Sequence, residues 1–269
     1  MNIDYKNGNV ILIQDDFDLD ETLDCGQAFR WEKISSEYDK TYKGAFLNTP
    51  LTISQKGNEF IFHDTTIDDF NSIWRDYFDL DTDYGEIKKR LSEDGTLSKA
   101  CAYAGGIRLL KQDFNECLIS FIISQNNNIP RIKGILSRLC DNYGGFPSYR
   151  QMAEDTIESL AFLRSGFRAK YIVDAVSKMN SGDLSADTIK TMPIDKARKA
   201  LMTIKGVGPK VAECVLLFGA YKTEAFPVDV WIKRVMEKYY PGGLPECTKG
   251  IEGIAQQYLF HYMRTYDEN

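Results

Sequence analysis

The hydrophobic period of the chain changes at Gly105-Gly106. Before this point, short aromatic or alternating runs are separated by Asn, Gly, Asp and Pro: NVILIQ, QAFRWEKI, TYKGAFLN, LTISQK and NEFIFHD. Such runs predict antiparallel strands joined by turns. After it, apolar residues recur with the 3.6-residue period of helices. The predicted class is α+β, with an N-terminal antiparallel β-sheet domain over residues 1–105 and an all-α domain over residues 106–269.

Local motifs predict where the helices lie. One helix is expected within the β-rich part, at DDFNSIWRDYFDL, where Phe70, Ile73, Trp74, Tyr77 and Phe78 share a face. Asp113 with Glu116 resembles a capping box opening FNECLISFIISQ, and Asn128 caps a helix that stops at GGFP. Further helices are expected at DTIESLAFL, FRAKYIVDAVSKM and DKARKALMTI, from Pro209 to about Gly219, after Asp229, and over roughly residues 250–265.

Composition excludes several classes of protein. The chain has 269 residues, of which 43% are hydrophobic and 27% charged, a balance typical of globular proteins. It contains no run of eighteen apolar residues and does not begin with a secretory-signal pattern, so we expect no membrane association and a cytoplasmic location. Six cysteines without CxxC pairs and two histidines argue against zinc or iron–sulfur sites. We therefore expect reduced thiols and no metal.

Charge is distributed unevenly along this acidic chain, whose net charge is −6. Residues 1–100 carry 11 Lys/Arg and 21 Asp/Glu, whereas residues 101–240 carry 20 and 14. A basic middle segment could orient the protein on a phosphate backbone. Charge asymmetry is common, however, and does not by itself identify a nucleic-acid partner.

The stretch TIKGVGPKVAECV, residues 203–215, has the pattern of a helix-hairpin-helix. Gly206 and Gly208 allow a sharp turn with positive φ, and Pro209 suits the first position of the following helix. Such a turn presents backbone N–H groups at a helix N-terminus, where a phosphate can bind without a basic side chain. A plain structural turn between two helices explains the pattern equally well.

Lys210 lies in the first turn of that helix, where its charge meets the positive end of the helix dipole. Burial and the dipole would both favour the neutral, nucleophilic amine. The alternative is a solvated surface lysine. Cys214, four residues on, is by itself a small buried residue. Asp229, in FPVDVWIKRV, is well placed as a helix N-cap, and the rest of its carboxylate could stabilise a positively charged sugar or deprotonate a nucleophile.

GVGPKVAEC followed by FPVDV resembles the hairpin, Gly/Pro-rich loop and catalytic aspartate of the base-excision DNA glycosylase superfamily. Further motifs are similar to its 8-oxoguanine DNA glycosylase branch, in that family's order: DCGQAFRW, RLLKQDFNECLISFIISQNNNIPRI, SGFRAKYI and GIAQQYLF. The resemblance spans nearly the whole chain. It implies a bifunctional enzyme without metal or organic cofactor that flips a damaged nucleotide out of duplex DNA.

The resemblance assigns the chemistry residue by residue. Lys210 matches the lysine that displaces the base and forms a Schiff base, after which β-elimination nicks the strand. Asp229 matches the carboxylate that supports the oxocarbenium-like sugar. The residues that would contact phosphate through their backbones are Gly206, Val207, Gly208 and Val211.

The same resemblance implies a pocket for the damaged base. Gly26 matches the glycine whose carbonyl accepts the N7 hydrogen that 8-oxoguanine has and guanine lacks. Phe260 and Cys214 match the residues that sandwich the base, while Gln256 and Pro227 match other pocket contacts. Without the resemblance, Gly26 would be interpreted as a turn glycine and Phe260 as a core residue.

Opposite the lesion, Asn126 matches the residue that fills the vacated space and Phe167 the aromatic wedge. Arg131 and Arg168 match the pair that reads the orphaned cytosine through its acceptor atoms, which predicts a preference for cytosine opposite the lesion. Without the family, both arginines would be interpreted as basic surface.

The sequence departs from the family pattern in three places. Trp231 stands where animal members commonly have histidine near the 5′ phosphate, Phe167 replaces a tyrosine, and Met263 occupies a position often acidic. The breadth of lesions accepted is therefore open. The leading hypothesis is a monomeric 8-oxoguanine DNA glycosylase/lyase acting on damaged double-stranded DNA. The alternatives are a monofunctional alkylbase glycosylase, which Lys210 disfavours, and a non-catalytic DNA-binding helix-hairpin-helix protein.

Overall fold

A computed structural model describes residues 2–266 of the chain. The chain forms two compact units. The first comprises the residues up to Lys111 together with the segment from Val228 onward, and the second comprises residues 112–227. The predicted domain boundary at residue 105 remains a prediction.

The first unit contains a six-stranded antiparallel sheet in the order β1-β2-β6-β5-β4-β3. Its strands are β1 (Asn2–Lys6), β2 (Asn9–Ile13), β3 (Glu32–Lys33), β4 (Lys40–Phe46), β5 (Thr49–Lys56) and β6 (Glu59–His63). Helices follow the sheet along the chain, so the predicted α+β class is confirmed.

The α-helices, in chain order, are α1 (Leu19–Leu23), α2 (Ile67–Asp69), α3 (Arg75–Tyr77), α4 (Tyr84–Leu91), α5 (Gly95–Tyr103), α6 (Phe114–Ser124), α7 (Ile129–Tyr143), α8 (Ala169–Asn180), α9 (Ala186–Thr191), α10 (Ile194–Leu201), α11 (Pro209–Phe218), α12 (Val230–Tyr239) and α13 (Glu252–Tyr266). A π-helical turn, Phe70–Trp74, connects α2 to α3, and 3₁₀ turns lie at Ser159–Leu163, Gly166–Arg168 and Glu246–Thr248.

The strand predicted for QAFRWEKI is mostly wrong, because only Glu32 and Lys33 pair with β4. The preceding residues are held by side-chain hydrogen bonds instead of a ladder. The Gln27 amide donates to the Arg108 carbonyl at 2.8 Å and accepts from the Leu110 N–H at 2.9 Å. Such a buried amide satisfies backbone groups that a strand would have satisfied.

The aromatic residues of the first unit form its core. Trp31, Trp74, Tyr77 and Phe78 are buried, and the Trp31 indole N–H donates to the Tyr77 hydroxyl at 2.8 Å. The predicted amphipathic helix at DDFNSIWRDYFDL is therefore present as the α2–π–α3 segment. The expectation of a single helix in this region is wrong, because α1, α4 and α5 also occur there. Their N-caps are Asp18, Asp83 and Asp94.

The second unit is helical, and α6 and α11 carry its most buried faces. Most side chains of α6, and all those of α11 from Val211 to Phe218, are buried. Phe121 of α6 stacks on Phe218 of α11 with ring centroids 5.5 Å apart. The predicted caps are confirmed, since Asp113 accepts from the Glu116 N–H at 2.9 Å and Asn128 from the Arg131 N–H at 3.0 Å.

The helix predicted at DTIESLAFL is wrong, since this segment forms only the 3₁₀ turn Ser159–Leu163. Thr156 and Ser159 bond each other's backbone N–H groups through their hydroxyls, which competes with helical hydrogen bonding. Arg164 then adopts the left-handed conformation, with φ of 52°, and ends the segment.

Among residues 2–266, no helix combines the length and the apolar character needed to cross a lipid bilayer. The same residues contain no group of three or more His, Cys, Asp or Glu side chains arranged to hold a metal ion. None of the six cysteines forms a disulfide bond.

Candidate active site

The hairpin between α10 and α11 is built around one residue that must be glycine. Gly206 has φ of +76°, and a Cβ placed on it would lie 2.3 Å from the Tyr171 ring of α8. Gly208 differs: its φ is −95°, and a Cβ would meet no atom within 4 Å. The prediction of positive φ at both glycines is therefore correct for Gly206 and wrong for Gly208. The sequence alone did not identify Tyr171, because this residue lies 35 positions before the Gly206 that it contacts.

Replacing Gly206 by alanine is expected to destabilise the protein by about 2–4 kcal/mol, from backbone strain together with overlap with Tyr171. Thermal or urea unfolding measures this change. Gly208→Ala is the matched control, because the same methyl group enters open space in the same turn, and it should shift stability by less than about 1 kcal/mol. Equal stability of the two variants would contradict this account of the turn.

The start of α11 leaves backbone donors unpaired. Gly208 is the N-cap, and no side chain of the described residues caps the helix. Pro209 has no N–H, so the first donors are the N–H groups of Lys210 and Val211, which have no intrahelical acceptor. The first helical bond runs from Ala212 N to the Gly208 oxygen at 3.0 Å. This arrangement suits an anion, because the helix dipole and free N–H groups act together.

Lys210 is exposed in the first turn of α11. Its Nζ lies 5.5 Å from the ring centroid of Phe121 on α6. The predicted burial of this lysine is wrong, because Lys side chains at the start of a helix lean back past its N-terminal end, where this hairpin is open. The helix dipole still acts on the amine. Val207 and Val211 are buried at the base of the same turn.

Cys214 and Pro227 are both buried in the second unit. Sequence reasoning missed Glu213, a charged residue within an otherwise apolar helix. The residue is 7% exposed, and its carboxylate forms a short ion pair with Arg198 on α10 and accepts from the Phe226 N–H at 2.8 Å. Glu213 therefore ties α10 and α11 to the segment that leads into Pro227.

Asp229 belongs to the first unit, where it is the N-cap of α12 as predicted. Its Oδ1 accepts from the Trp231 N–H at 3.0 Å and from the Ile232 N–H at 2.8 Å. Oδ2 has no hydrogen-bond partner among residues 2–266, and the side chain is only partly buried. The cap thus fixes one oxygen and leaves the other able to face a substrate.

Three of the predicted pocket residues lie in the first unit. Gly26 occupies a turn with φ of +82°, in which a Cβ would meet nothing within 4 Å. Gln256 is 4% exposed on α13, and Phe260, one helical turn later, is half-buried. Residues four apart share a helix face, so the amide and the ring are neighbours on α13.

Asn126 and Arg168 are brought together in the second unit. Asn126 is exposed, with a left-handed φ of 46°. Arg168 is 2% exposed, and its Nη2 donates to the Asn126 carbonyl at 2.9 Å. Its Nε donates to the Gln125 carbonyl at 2.9 Å and its Nη1 to the Ser165 carbonyl at 3.1 Å. The interpretation of Arg168 as basic surface is therefore wrong: this side chain holds the Asn126 loop.

Arg131 and Phe167 are available at the surface of the second unit. Arg131 is exposed, and its Nη2 donates to the Arg164 carbonyl at 3.4 Å. Phe167 is 45% exposed, and its ring contacts Tyr171 with centroids 5.7 Å apart. A large exposed aromatic ring on a short 3₁₀ turn is the geometry that a wedge requires.

The two other departures from the family pattern lie in the first unit. Trp231 is partly buried, and the Arg234 guanidinium stacks 4.9 Å from its ring centroid. Met263 is 3% exposed, so a position that is often acidic is part of the core in this chain.

Comparisons with known proteins agree with the motifs. Residues 10–118 match the model for the N-terminal domain of 8-oxoguanine DNA glycosylase. Residues 119–246 match the model for the HhH-GPD superfamily of base excision DNA repair proteins. An N-glycosylase/DNA lyase of Saccharomyces cerevisiae is 31% identical over 88% of this chain and 72% of its own length.

Two solved structures share the fold over nearly their full length. MBOgg1 in complex with a low-affinity DNA ligand is 39% identical, with 99% of each chain covered and a TM-score of 0.92. The Clostridium acetobutylicum 8-oxoguanine glycosylase/lyase, in complex with double-stranded DNA that contains cytosine opposite 8-oxoguanine, is 35% identical, again over 99% of each chain, with a TM-score of 0.90.

Proposed function

The chain belongs to the 8-oxoguanine DNA glycosylase family, and from this premise we propose that it excises 8-oxoguanine from duplex DNA and then nicks the abasic strand. The proposal rests mainly on the position of Lys210, which lies in the first turn of α11, directly after the hairpin and at a helix start that no side chain of the described residues caps. Damaged double-stranded DNA is the partner, and the protein acts as a cytoplasmic monomer without metal or organic cofactor.

The hairpin is the element that grips DNA. The free N–H groups at the start of α11 bind a backbone phosphate, supported by the turn of Gly206, Val207 and Gly208. Gly208 lacks a Cβ and has open space around it, which lets a phosphate approach the backbone closely. Bound DNA excludes water from the exposed Lys210 side chain and brings its amine against the sugar.

Lys210 and Asp229 have different roles in the reaction. The neutral Lys210 amine attacks C1′ of the flipped nucleotide, and the bond from C1′ to N9 breaks with its electron pair leaving on the base. Loss of a proton from nitrogen and opening of the sugar ring give a Schiff base, and β-elimination then breaks the bond from C3′ to oxygen. Asp229 stabilises the positive sugar through the oxygen that the cap leaves free.

Recognition of the base and of its partner uses separate residues. By the family resemblance, the Gly26 carbonyl accepts the N7 hydrogen of 8-oxoguanine, and the other residues assigned to contact the base are Phe260, Cys214, Gln256 and Pro227. On the other strand, Asn126 fills the vacated space and Phe167 wedges the stack. Arg131 is exposed and suited to cytosine, and Arg168, which holds the Asn126 loop through its carbonyl groups, is the second member of the pair.

An excision panel tests the proposal. Duplexes containing 8-oxoguanine, a ring-opened purine or a methylpurine, each opposite all four bases, are incubated with excess protein, and base release and strand nicking are followed separately. We expect fastest release of 8-oxoguanine opposite cytosine, with nicking. Release of methylpurine alone without nicking would support the monofunctional alternative, and duplex binding without any release would support the non-catalytic one.

A further inference from the structure

Three buried polar side chains form a hydrogen-bonded chain within the first unit. The Cys25 thiol lies 3.6 Å from Oε1 of Gln257, whose Nε2 donates to Oε1 of Gln256 at 2.6 Å. Cys25 is 2% exposed, and each glutamine is 4% exposed. These hydrogen bonds connect Cys25, the residue before Gly26, to Gln256, and so they link two of the predicted recognition positions.

The Cys25 thiol decides which atoms donate and which accept in this series of hydrogen bonds. Burial raises the pKa of the Cys25 thiol to about 11, so the thiol stays protonated at neutral pH and serves as a donor. Its hydrogen is shared with the Thr22 carbonyl, 3.3 Å away. With Oε1 of Gln257 accepting from sulfur, its Nε2 faces Gln256, and the Gln256 oxygen is turned toward Gln257.

This orientation leaves the Gln256 amide nitrogen without an acceptor. The amide nitrogen of Gln256 has no hydrogen-bond partner among residues 2–266, and it is not one of their fully buried unpaired atoms, so it reaches the accessible surface of a residue that is otherwise 4% exposed. An amide N–H that reaches the surface, on a side chain held by a buried hydrogen bond to its oxygen, is oriented and available to a ligand. The group that this nitrogen needs is an acceptor.

We propose that Gln257 is a positioning residue that fixes the orientation of the Gln256 amide. The fixed amide then favours purines that have an oxygen at position 6 over purines that have an amino group there. The inference rests on the proposed function, which places Gln256 against the flipped base. A 6-oxopurine offers the O6 acceptor to the Gln256 nitrogen, and its N1–H can donate to the remaining lone pair of the Gln256 oxygen. A 6-aminopurine presents the opposite pattern, a donor at N6 and an acceptor at N1.

Two substrates isolate this discrimination. 8-Oxohypoxanthine and 8-oxoadenine share the C8 oxygen and the N7 hydrogen, and they differ only at position 6 and in protonation at N1. Each is placed opposite cytosine, and single-turnover excision rates are measured with excess protein at pH 8.5. For the unmodified protein, the ratio of the 8-oxohypoxanthine rate to the 8-oxoadenine rate is expected to be about tenfold or more.

Two variants of Gln257 test the positioning role. Gln257→Met keeps the size but frees the Gln256 amide to rotate, so the ratio should fall at least about fivefold. Gln257→Glu can only accept when ionised, so it draws the Gln256 nitrogen to itself and turns the oxygen toward the base. Its ratio should fall below that of Gln257→Met, with 8-oxoadenine gaining in absolute rate.

Gln55→Met is the matched control, because Gln55 is another buried glutamine of the first unit, bonded to the Leu19 N–H at 3.0 Å. It should lower stability and leave the ratio unchanged. A partly folded sample lowers both rates equally, so the ratio stays readable. The inference about Gln257 is overturned if both Gln257 variants keep the unmodified ratio. It is also overturned if the unmodified protein excises 8-oxoguanine but shows a ratio near one, and in either case the proposed function stands. Failure to excise 8-oxoguanine as well overturns the proposed function.

Discussion

Lys210→Gln is expected to lower single-turnover excision of 8-oxoguanine by at least about a thousandfold and to abolish covalent capture of the protein on DNA by borohydride. Glutamine is polar and one atom shorter than lysine, and it has no basic nitrogen, so neither attack at C1′ nor a Schiff base is possible. Because Lys210 is exposed in the free protein, the substitution should leave thermal stability nearly unchanged.

Lys205→Gln provides the matched control for this variant. Lys205 lies on the same hairpin, its side chain is 74% exposed, and its Nζ lies 3.5 Å from the Asp174 carboxylate. Loss of its charge should weaken duplex binding slightly and leave the rate at saturating protein unchanged. Excision at the unmodified rate by Lys210→Gln, or an equal loss in Lys205→Gln, would show that the hairpin contributes charge and no nucleophile.

Asp229→Asn is expected to lower the excision rate by about a hundredfold or more while preserving the fold. Asparagine caps helices as well as aspartate does, so the hydrogen bonds from the Trp231 and Ile232 N–H groups persist. The negative charge that would face the developing sugar cation is lost. Excision rate and melting temperature, measured on the same preparation, separate the two roles of Asp229.

Asp229→Ala removes the cap as well as the charge and completes the comparison. It should lose activity to a similar extent and, in addition, about 1 kcal/mol of stability. If Asp229→Asn keeps full activity and only Asp229→Ala is impaired, the carboxylate acts as a helix cap alone.

Features encoded by short stretches of sequence were predictable. Asp113, Asn128 and Asp229 each cap the helix that the sequence assigned to them. The positive φ of Gly206 follows likewise from the local Gly-Val-Gly pattern. In each case the groups that decide the conformation are within a few residues of one another, so the pattern contains the physical cause.

Features that depend on distant partners were not predictable. The exposure of Lys210 depends on what packs around the start of α11, and helical position alone misjudged it. The role of Arg168 depends on carbonyl groups about forty residues away, and the orientation of Gln256 depends on Cys25 in another part of the chain. Composition and periodicity contain no information about such pairs, whereas the family resemblance predicted roles for the residues without their contacts.

The most direct test of the account is to locate the covalent bond. The unmodified protein is incubated with duplex DNA containing 8-oxoguanine opposite cytosine, reduced with borohydride and digested, and the peptide that carries the sugar is identified by mass spectrometry. We predict a reduced adduct on Lys210. An adduct on a different amine, or strand nicking without any adduct, would contradict the central claim that Lys210 is the nucleophile.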